Sequence, residues 1–372
     1  MKAESPLLAE HQLLGASFTD FAGWRMPLKY SSELTEHHAV RTAAGVFDLS
    51  HMGEIDVVGS DAATLLDYAL VGDMTNLAVG KARYSLLCDQ DGGVVDDLVV
   101  YRLAADRFLV VANAANAGAV AAALAERAAG FVATVDDRSH RTALIAVQGP
   151  CAEGIVGKIV ADEDLSKVTE LAYYAAVEIR IGSTPALVAR TGYTGEDGFE
   201  LYVPNEAATE LWHLILDAGR PDGAIPAGLA CRDTLRLEAG MALYGHELSL
   251  TTNPYEAGLG RVVKLAKDFV GRDALARRAD RAVDRKLVGI KGTGRRAARE
   301  GYAVYATDAD AGRQIGTITS GALSPTLGYP VALCYLETGE ADVDSTVFVD
   351  IRGSRVPFTV ARPPFYRRAK AH

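Results

Sequence analysis

No stretch of the 372 residues is apolar for long enough to cross a bilayer. The N-terminal MKAESPLLAEHQLLG carries acids where a secretory signal needs an apolar run. Cysteine is scarce: Cys88, Cys151, Cys231 and Cys334 stand far apart, share no metal-ligand spacing, and read as reduced thiols of a cytoplasmic protein. Positive charge is in deficit, with 38 Lys and Arg against 48 Asp and Glu, a formal net of −10. That balance argues against a general nucleic-acid binder and against a polybasic membrane surface. Catalytic signatures are missing as well. There is no Walker A loop and no nucleophile elbow around any serine, Ser50 and His51 being merely adjacent. Glu36-His37-His38 lacks the i, i+4 spacing that sets two metal ligands on one helix face. Gly292-Thr293-Gly294-Arg295-Arg296-Ala297 fits G-x-G-x-x-A in form, but Gly301 ends any helix at once and no βαβ unit follows to hold a dinucleotide.

What is present is a chain with 49% hydrophobic residues, long enough for two or three domains. FAGWRMPLKY reads as a loop before a helical pattern at SSELTEHHAVRTAAGVF. A strand follows at EIDVVGS, then a helix opened by Ser60 or Asp61 as N-cap. KARYSLLCDQDGGVVDDLVVYRL reads as a hairpin turning at Asp91-Gly92-Gly93, RFLVVANAAN as a strand, and NAGAVAAALAERAAG as a helix. TALIAVQGPCAEGIVGKIV is a further α/β segment. ALVARTGYTGEDGFELYV is a hairpin with a flexible tip, and LACRDTLRLEAG is a helix. Beyond about residue 280 six short strands with little helix between them predict a small antiparallel barrel. Charge is uneven: residues 261–299 hold thirteen Lys or Arg against four Asp, a local +9. A charge run of this kind is ordinarily a solvated linker helix.

The hairpin strand carries two adjacent acids. Alternation gives Asp97 a face with Val95, Val99 and Tyr101, and Asp96 a face with Val94, Leu98 and Val100. In the ordinary arrangement Asp96 sits at a solvated edge and Asp97 accepts backbone N–H groups near the turn. The functional alternative is a partly desolvated carboxylate positioned to bind or move a proton. Asn113 ends the next strand, either as a cap or as a partner for the amide edge of a heterocycle. In the later hairpin Phe199, Leu201 and Val203 share one face, leaving Glu200 and Tyr202 on the other. Arg232 has Arg236 one turn along its helix, and Glu200 and Arg232 either pair or separately meet a substrate amine and a carboxylate.

FAGWRMPLKY, VFDLSHMGEI, YSLLCDQDGGVVDDLVVYR, RTGYTGEDGFEL, AGLACRDTLRLEAGMALYGHEL, TNPYEAGLG, KDFVG, ITSGALSPTLG and PPFYR occur in this order. Over essentially the whole chain the sequence resembles the T-protein family of the glycine cleavage system, tetrahydrofolate-dependent aminomethyltransferases. It departs from the family where Arg261 stands in place of a frequent Trp.

The resemblance implies an α+β cloverleaf of three domains around a central folate channel. Two are α/β domains with antiparallel sheets, and the third is a C-terminal antiparallel β-barrel. The first is discontinuous, 1–48 and 142–275; the second is inserted at 49–141; the barrel is 276–372. It implies tetrahydrofolate as co-substrate, without metal, flavin, nicotinamide or pyridoxal phosphate. The implied partner is the lipoylated H-protein, with no nucleic acid and no membrane, in the cytoplasm. Carried over by position, Asp97 is the catalytic acid. Tyr84, Val99, Tyr101, Val111, Asn113, Tyr173, Tyr174, Tyr193, Glu200 and Arg232 line the folate pocket, with Tyr366 and Arg367 added from the C-terminus. The basic stretch suggests Arg277, Arg278, Arg281 and Arg295 as H-protein docking residues. Related sarcosine and dimethylglycine dehydrogenases carry a flavin domain ahead of this unit, whereas this chain starts at the folate-binding unit. Relatives in iron–sulfur protein maintenance carry a KGCYxGQE-type motif where ALYGHEL stands here.

Overall fold

In the computed structural model, which describes residues 2–309 and 312–369, period-two alternation decides what each sheet buries. Contacts divide the chain into two units. The first comprises Met1–Leu87, Val95–Arg232 and Ala266–Phe269; the second comprises Cys88–Val94, Asp233–Leu265 and Val270–His372.

The first unit holds a five-stranded sheet in the order Ala82–Cys88, Val94–Ala104, Arg107–Ala112, Gly53–Val58, Thr134–Asp137. One face supplies Ile55, Val57, Leu98, Val100, Phe108 and Val110 to a core with Leu65 and Leu66 of the helix Ala62–Ala69 and Val120 and Leu124 of the helix Ala117–Arg127. A six-stranded sheet runs Ala176–Ile181, Thr184–Ala189, Gly198–Pro204, Thr142–Gln148, Gly45–Asp48, Ile225–Pro226. Its Ile145, Val147, Phe199 and Leu201 pack on Ile155 of the helix Ala152–Ile159 and on Trp212 and Ile215 of the helix Ala208–Gly219. Each sheet therefore has helices on one face. The opposite faces touch, the Tyr101 and Tyr202 rings meeting edge-to-face at 6.0 Å. The chain leaves the six-stranded sheet at Asp48 and returns beside it at Thr142–Gln148, with Asp48 paired to Ile145. At that exit His11 Nε2 lies 2.7 Å from Asp48 Oδ2 and the Tyr30 hydroxyl 2.9 Å from His11 Nδ1. This buried chain pins the N-terminal helix Leu8–Leu13 to the sheet.

In the second unit a closed barrel runs Arg285–Gly292, Pro330–Glu337, Gln314–Leu323, Ala303–Tyr305, Thr346–Ile351, Ser354–Ala361. Ile290, Val304, Ile318, Leu336, Val349, Phe358 and Val360 fill it. The predicted barrel and its six strands are as found.

Three local expectations need correction. FAGWRMPLKY is a hairpin turn plus a strand, since Ala22 (φ 53°) and Gly23 (φ 82°) make a tight turn between Ser17–Phe21 and Trp24–Lys29. An Ala in the left-handed region hides the usual Asn-Gly signal. The helix Ala62–Ala69 follows Asp61, but its carboxylate accepts from the Val132 N–H at 2.7 Å and caps nothing. The tip of the 184–204 hairpin is locked: Thr194 is buried, its hydroxyl donates to Gln148 Oε1 at 2.9 Å, and Arg41 binds Thr194 O and Glu196. A side chain on Gly192 would strike Gln148, which is why glycine stands there.

Candidate active site

The site face of the five-stranded sheet is the one without helices. Asp97, Val99 and Tyr101 come from one strand. Val111 pairs with Val99 from the next, and Asn113 follows that strand's end. Asp97 is half-buried. It accepts from the Tyr84 hydroxyl at 3.0 Å and from Asn113 Nδ2 at 2.9 Å. Burial, and then the Asp97 charge, push the Tyr84 phenol well above its usual range, so it stays a neutral donor.

Asp96 is not at a solvated edge. It is 0% exposed on the core face, and its carboxylate accepts from Asn113 N–H at 3.0 Å, Asn113 Nδ2 at 2.9 Å and Asn116 Nδ2 at 2.7 Å. Burial pushes the Asp96 carboxyl up to about 7 against these donors, and the Asp97 charge adds to the rise. A strand acid can be buried because the two asparagines supply the partners water would otherwise provide. Neither sequence alternative foresaw that the two acids share one amide. Asn113 Nδ2 also meets Asp97 O at 2.9 Å, so its hydrogens are consumed within the fold and its Oδ1 is the amide atom left as an acceptor.

From the six-stranded sheet, Glu200 and Tyr202 point at this face rather than to solvent. Glu200 Oε2 accepts from Thr191 Oγ1 at 2.5 Å, Tyr101 at 3.3 Å and Tyr202 at 3.5 Å. Tyr101 is 1% exposed, with its hydroxyl 2.8 Å from Thr191 Oγ1, so it braces Glu200 from behind. Tyr174 sits at φ 59° and its carbonyl accepts from Ala82 N–H at 2.8 Å, bringing the pair Tyr173–Tyr174 to the Tyr84 strand. Their rings meet at 5.1 Å, Tyr173 being 50% exposed and Tyr174 half-buried. Burial, then the charges of its neighbours Tyr173, Glu200 and Asp97, raise the Tyr174 phenol.

The Arg232 guanidinium stacks on Tyr193 at 4.9 Å. Burial works against its charge and the Glu200 carboxylate works for it, yet no carboxylate among the described residues pairs with it directly. The bidentate Glu200–Arg232 pair is thus not formed. Arg236, one turn along, is a different object: 1% exposed, held by Glu247 at 2.9 Å, Asp233 at 2.8 Å and Ser320 at 2.7 Å.

The remaining predicted residues belong to the second unit. The Tyr366 N–H donates to Glu238 O at 2.8 Å, and Arg367 is exposed. Arg277 and Arg278 end the short helix Arg272–Ala279, Arg278 half-buried and Arg277, Arg281 and Arg295 exposed. The basic stretch is not one solvated helix. Lys267 is turned inward onto the Asp67 and Leu70 carbonyls, and Arg285 pairs with Glu256 at 3.1 Å.

Two residues escaped sequence reasoning. His51 is buried beside Arg232. Burial and then the Arg232 charge hold its imidazole down at about 4, against the pull of Asp48, so it is neutral, with Nδ1 unpartnered among the described residues. Glu54 is buried on the site face. Its parity, opposite to Ile55 and Val57, was the available signal.

The family model of the GCVT N-terminal domain matches residues 7–267, and that of the glycine cleavage T-protein C-terminal barrel domain matches residues 285–367. The chain belongs to the glycine cleavage T-protein family. Its sequence is 54% identical to an aminomethyltransferase of Cutibacterium acnes, covering 98% of both chains, and 55% identical to one of Streptomyces avermitilis, covering 97% of both. The crystal structure of the glycine cleavage system aminomethyltransferase T from Bartonella henselae is similar with a TM-score of 0.91 at 36% identity, covering 100% of each chain. As a T-protein family member this chain is an enzyme, a tetrahydrofolate-dependent aminomethyltransferase of the glycine cleavage system. Among the described residues no cluster of His, Cys, Asp and Glu is arranged to hold a metal ion, and no helix is long and apolar enough to cross a membrane.

Proposed function

We propose that the enzyme transfers the methylene carbon of an aminomethyl group, carried as a thioether on the lipoyl arm of the H-protein, to tetrahydrofolate. The products are 5,10-methylenetetrahydrofolate, ammonia and the dihydrolipoyl arm. One observation carries the assignment of chemistry to Asp97: a half-buried carboxylate held by Tyr84 and Asn113 on the face that Glu200 and Tyr202 oppose. Folate nitrogens are weak nucleophiles, and the aminomethyl carbon reacts best as an iminium-like electrophile. A fixed carboxylate orients the attacking nitrogen, accepts its proton and stabilises the cation. Glu200 accepts from the amino edge of the pterin, and Asn113 Oδ1 adds a second acceptor. Tyr84, Tyr174 and Tyr193 offer ring surface beside Val99 and Val111, and Tyr173 lies at the exposed rim. Tyr101 acts through Glu200. Arg232, with no carboxylate paired to it among the described residues, takes the glutamate tail of folate.

The finer organisation is part of the same reading. The three-domain division at 1–48 with 142–275, 49–141 and 276–372 is supported by the strand pairing that closes the six-stranded sheet around 49–141. The arginines at 277, 278, 281 and 295 meet the H-protein, and the enzyme works in the cytoplasm. The test is an assay with aminomethylated, lipoylated H-protein, with and without tetrahydrofolate, reading ammonia and methylenetetrahydrofolate. Asp97→Asn is expected to bind tetrahydrofolate and to lose about 10²–10⁴ in transfer rate. Full transfer by that variant refutes the role given to Asp97.

A further inference from the structure

Gln148 ends the strand Thr142–Gln148 on the face of Leu144 and Ala146, while Ile145 and Val147 enter the helical core. On the neighbouring strand Tyr202 stands opposite Leu144 and Glu200 opposite Ala146, so Gln148 closes the row on the site face. The residue is 0% exposed. Both ends of its carboxamide are engaged by the loop that joins Thr184–Ala189 to Gly198–Pro204. Nε2 donates to Thr191 O at 3.0 Å, and Oε1 accepts from the Thr194 hydroxyl at 2.9 Å. A carbonyl oxygen only accepts, so the nitrogen end must face Thr191 and the oxygen end Thr194.

The loop is shaped around this amide. A Cβ on Gly192 would lie 2.0 Å from Gln148 Oε1, and one on Gly198 would lie 2.2 Å from Nε2. Neither glycine lies in the left-handed region, so clearance for the amide, and not a turn, accounts for both. The same loop carries two groups that bear on the folate site. The Thr191 hydroxyl donates to Glu200 Oε2 at 2.5 Å, and the Arg232 guanidinium lies 4.9 Å from the centre of the Tyr193 ring.

We infer that Gln148 is a positioning residue for tetrahydrofolate, acting through residues 191–194 and touching no ligand itself. One buried amide fixes both the hydroxyl that orients Glu200 and the ring on which Arg232 rests. Glu200 stands on a strand and Arg232 on a helix, and the loop is the brace they share. The pterin edge and the glutamate tail are thereby gripped from a single internal anchor, and loosening it weakens both holds. Asp97 is braced separately, by Tyr84 and Asn113 on the other sheet, so the chemical step is spared. The inference rests on the folate roles given above to Glu200 and Arg232.

The experiment measures equilibrium binding of tetrahydrofolate, kept anaerobic, and steady-state transfer from aminomethylated H-protein, both well below the melting temperature. The proteins are wild type, Gln148→Met, Thr191→Val and the double variant. Methionine has nearly the length of glutamine and makes neither hydrogen bond. Gln148→Met is expected to raise the Kd and KM for tetrahydrofolate about tenfold, with kcat held within about threefold. A merely structural role lowers the melting temperature and the active fraction and leaves the Kd unmoved. The double variant is expected to bind no worse than Gln148→Met alone, because Gln148 acts on Glu200 through Thr191. Thr194→Val leaves Gln148 in place and removes one of its two bonds, so it serves if Gln148→Met does not fold. It is expected to raise the Kd about threefold, with the same coupling to Thr191→Val. Wild-type affinity in Gln148→Met, or in Thr194→Val where that variant serves, overturns the inference, as do losses that multiply in the double variant. Unchanged tetrahydrofolate affinity in Glu200→Gln and Arg232→Ala strikes the folate roles of those residues, a separate result.

Discussion

Replacing Asn113 with alanine removes one amide nitrogen that serves three acceptors, Asp96 Oδ1, Asp97 O and Asp97 Oδ1, each at 2.9 Å. Two hydrogens cannot serve three acceptors fully, so the loss is that of about two hydrogen bonds, at least one to a charged group. Hydrogen bonds to charged groups contribute roughly 1.5–3 kcal/mol each. Asp96 keeps the Asn113 backbone N–H at 3.0 Å and Asn116 at 2.7 Å, which hold the cost to the fold near the lower bound, about 2 kcal/mol. Asp97 is served less well, retaining the Tyr84 hydroxyl at 3.0 Å. Freed to move by about 1 Å, a catalytic group loses on the order of 10²-fold in rate. The expectation for Asn113→Ala is therefore a kcat about 10² below wild type in the coupled ammonia and methylenetetrahydrofolate assay, with a modest fall in melting temperature. Asn113→Asp is expected to be worse than alanine, since it sets a third carboxyl against Asp96 and Asp97. An unchanged kcat in Asn113→Ala, with only the KM for tetrahydrofolate raised, would show that Asn113 binds ligand and does not position Asp97.

Arg232→Ala is expected to weaken tetrahydrofolate binding about ten- to a hundredfold with little change in melting temperature. Arg236→Ala strands the buried Glu247 and is expected to cost about 3–5 kcal/mol of stability by denaturant titration; the reverse ordering refutes both assignments. Asp96 has its carboxyl raised to about 7 in the fold, so its stabilising contribution is full below the ordinary carboxylate pKa and is lost as pH rises through about 7. The melting temperature of Asp96→Asn relative to wild type should then climb between about pH 5 and pH 8, and a flat difference contradicts the buried acid. Raising salt, or reversing Arg277 and Arg281 to Glu, is expected to raise the KM for H-protein while sparing turnover with free aminomethyl-lipoate. Exposed charges act mainly on association and are screened over about 8 Å at physiological salt. H-protein kinetics indifferent to salt return the stretch to an ordinary solvated surface.

Much of this protein is written in local pattern. The six barrel strands announce themselves because short β-branched runs between turn residues have one stable use, and alternation alone places Asp97 on the face of Val99 and Tyr101 and Phe199 on the face away from Glu200. Alternation also assigned Asp96 correctly to the face of Leu98 and Val100. It could not say that this face is the core, because burial depends on a helix more than twenty residues away along the chain, at Val120 and Leu124. Nor could it supply the partners that make burial tolerable, since the amides of Asn113 and Asn116 reach Asp96 only once two strands pair. The same holds for the arginines. Arg232 and Arg236 are equivalent on a helical projection, and only tertiary contacts make one a sealed ion-pair partner of Glu247 and leave the other stacked on Tyr193. Which strand residues share a face is a property of the backbone repeat and is legible in the sequence. Whether that face meets water, a core or a second sheet, and which charges find partners there, is decided by residues distant in the chain.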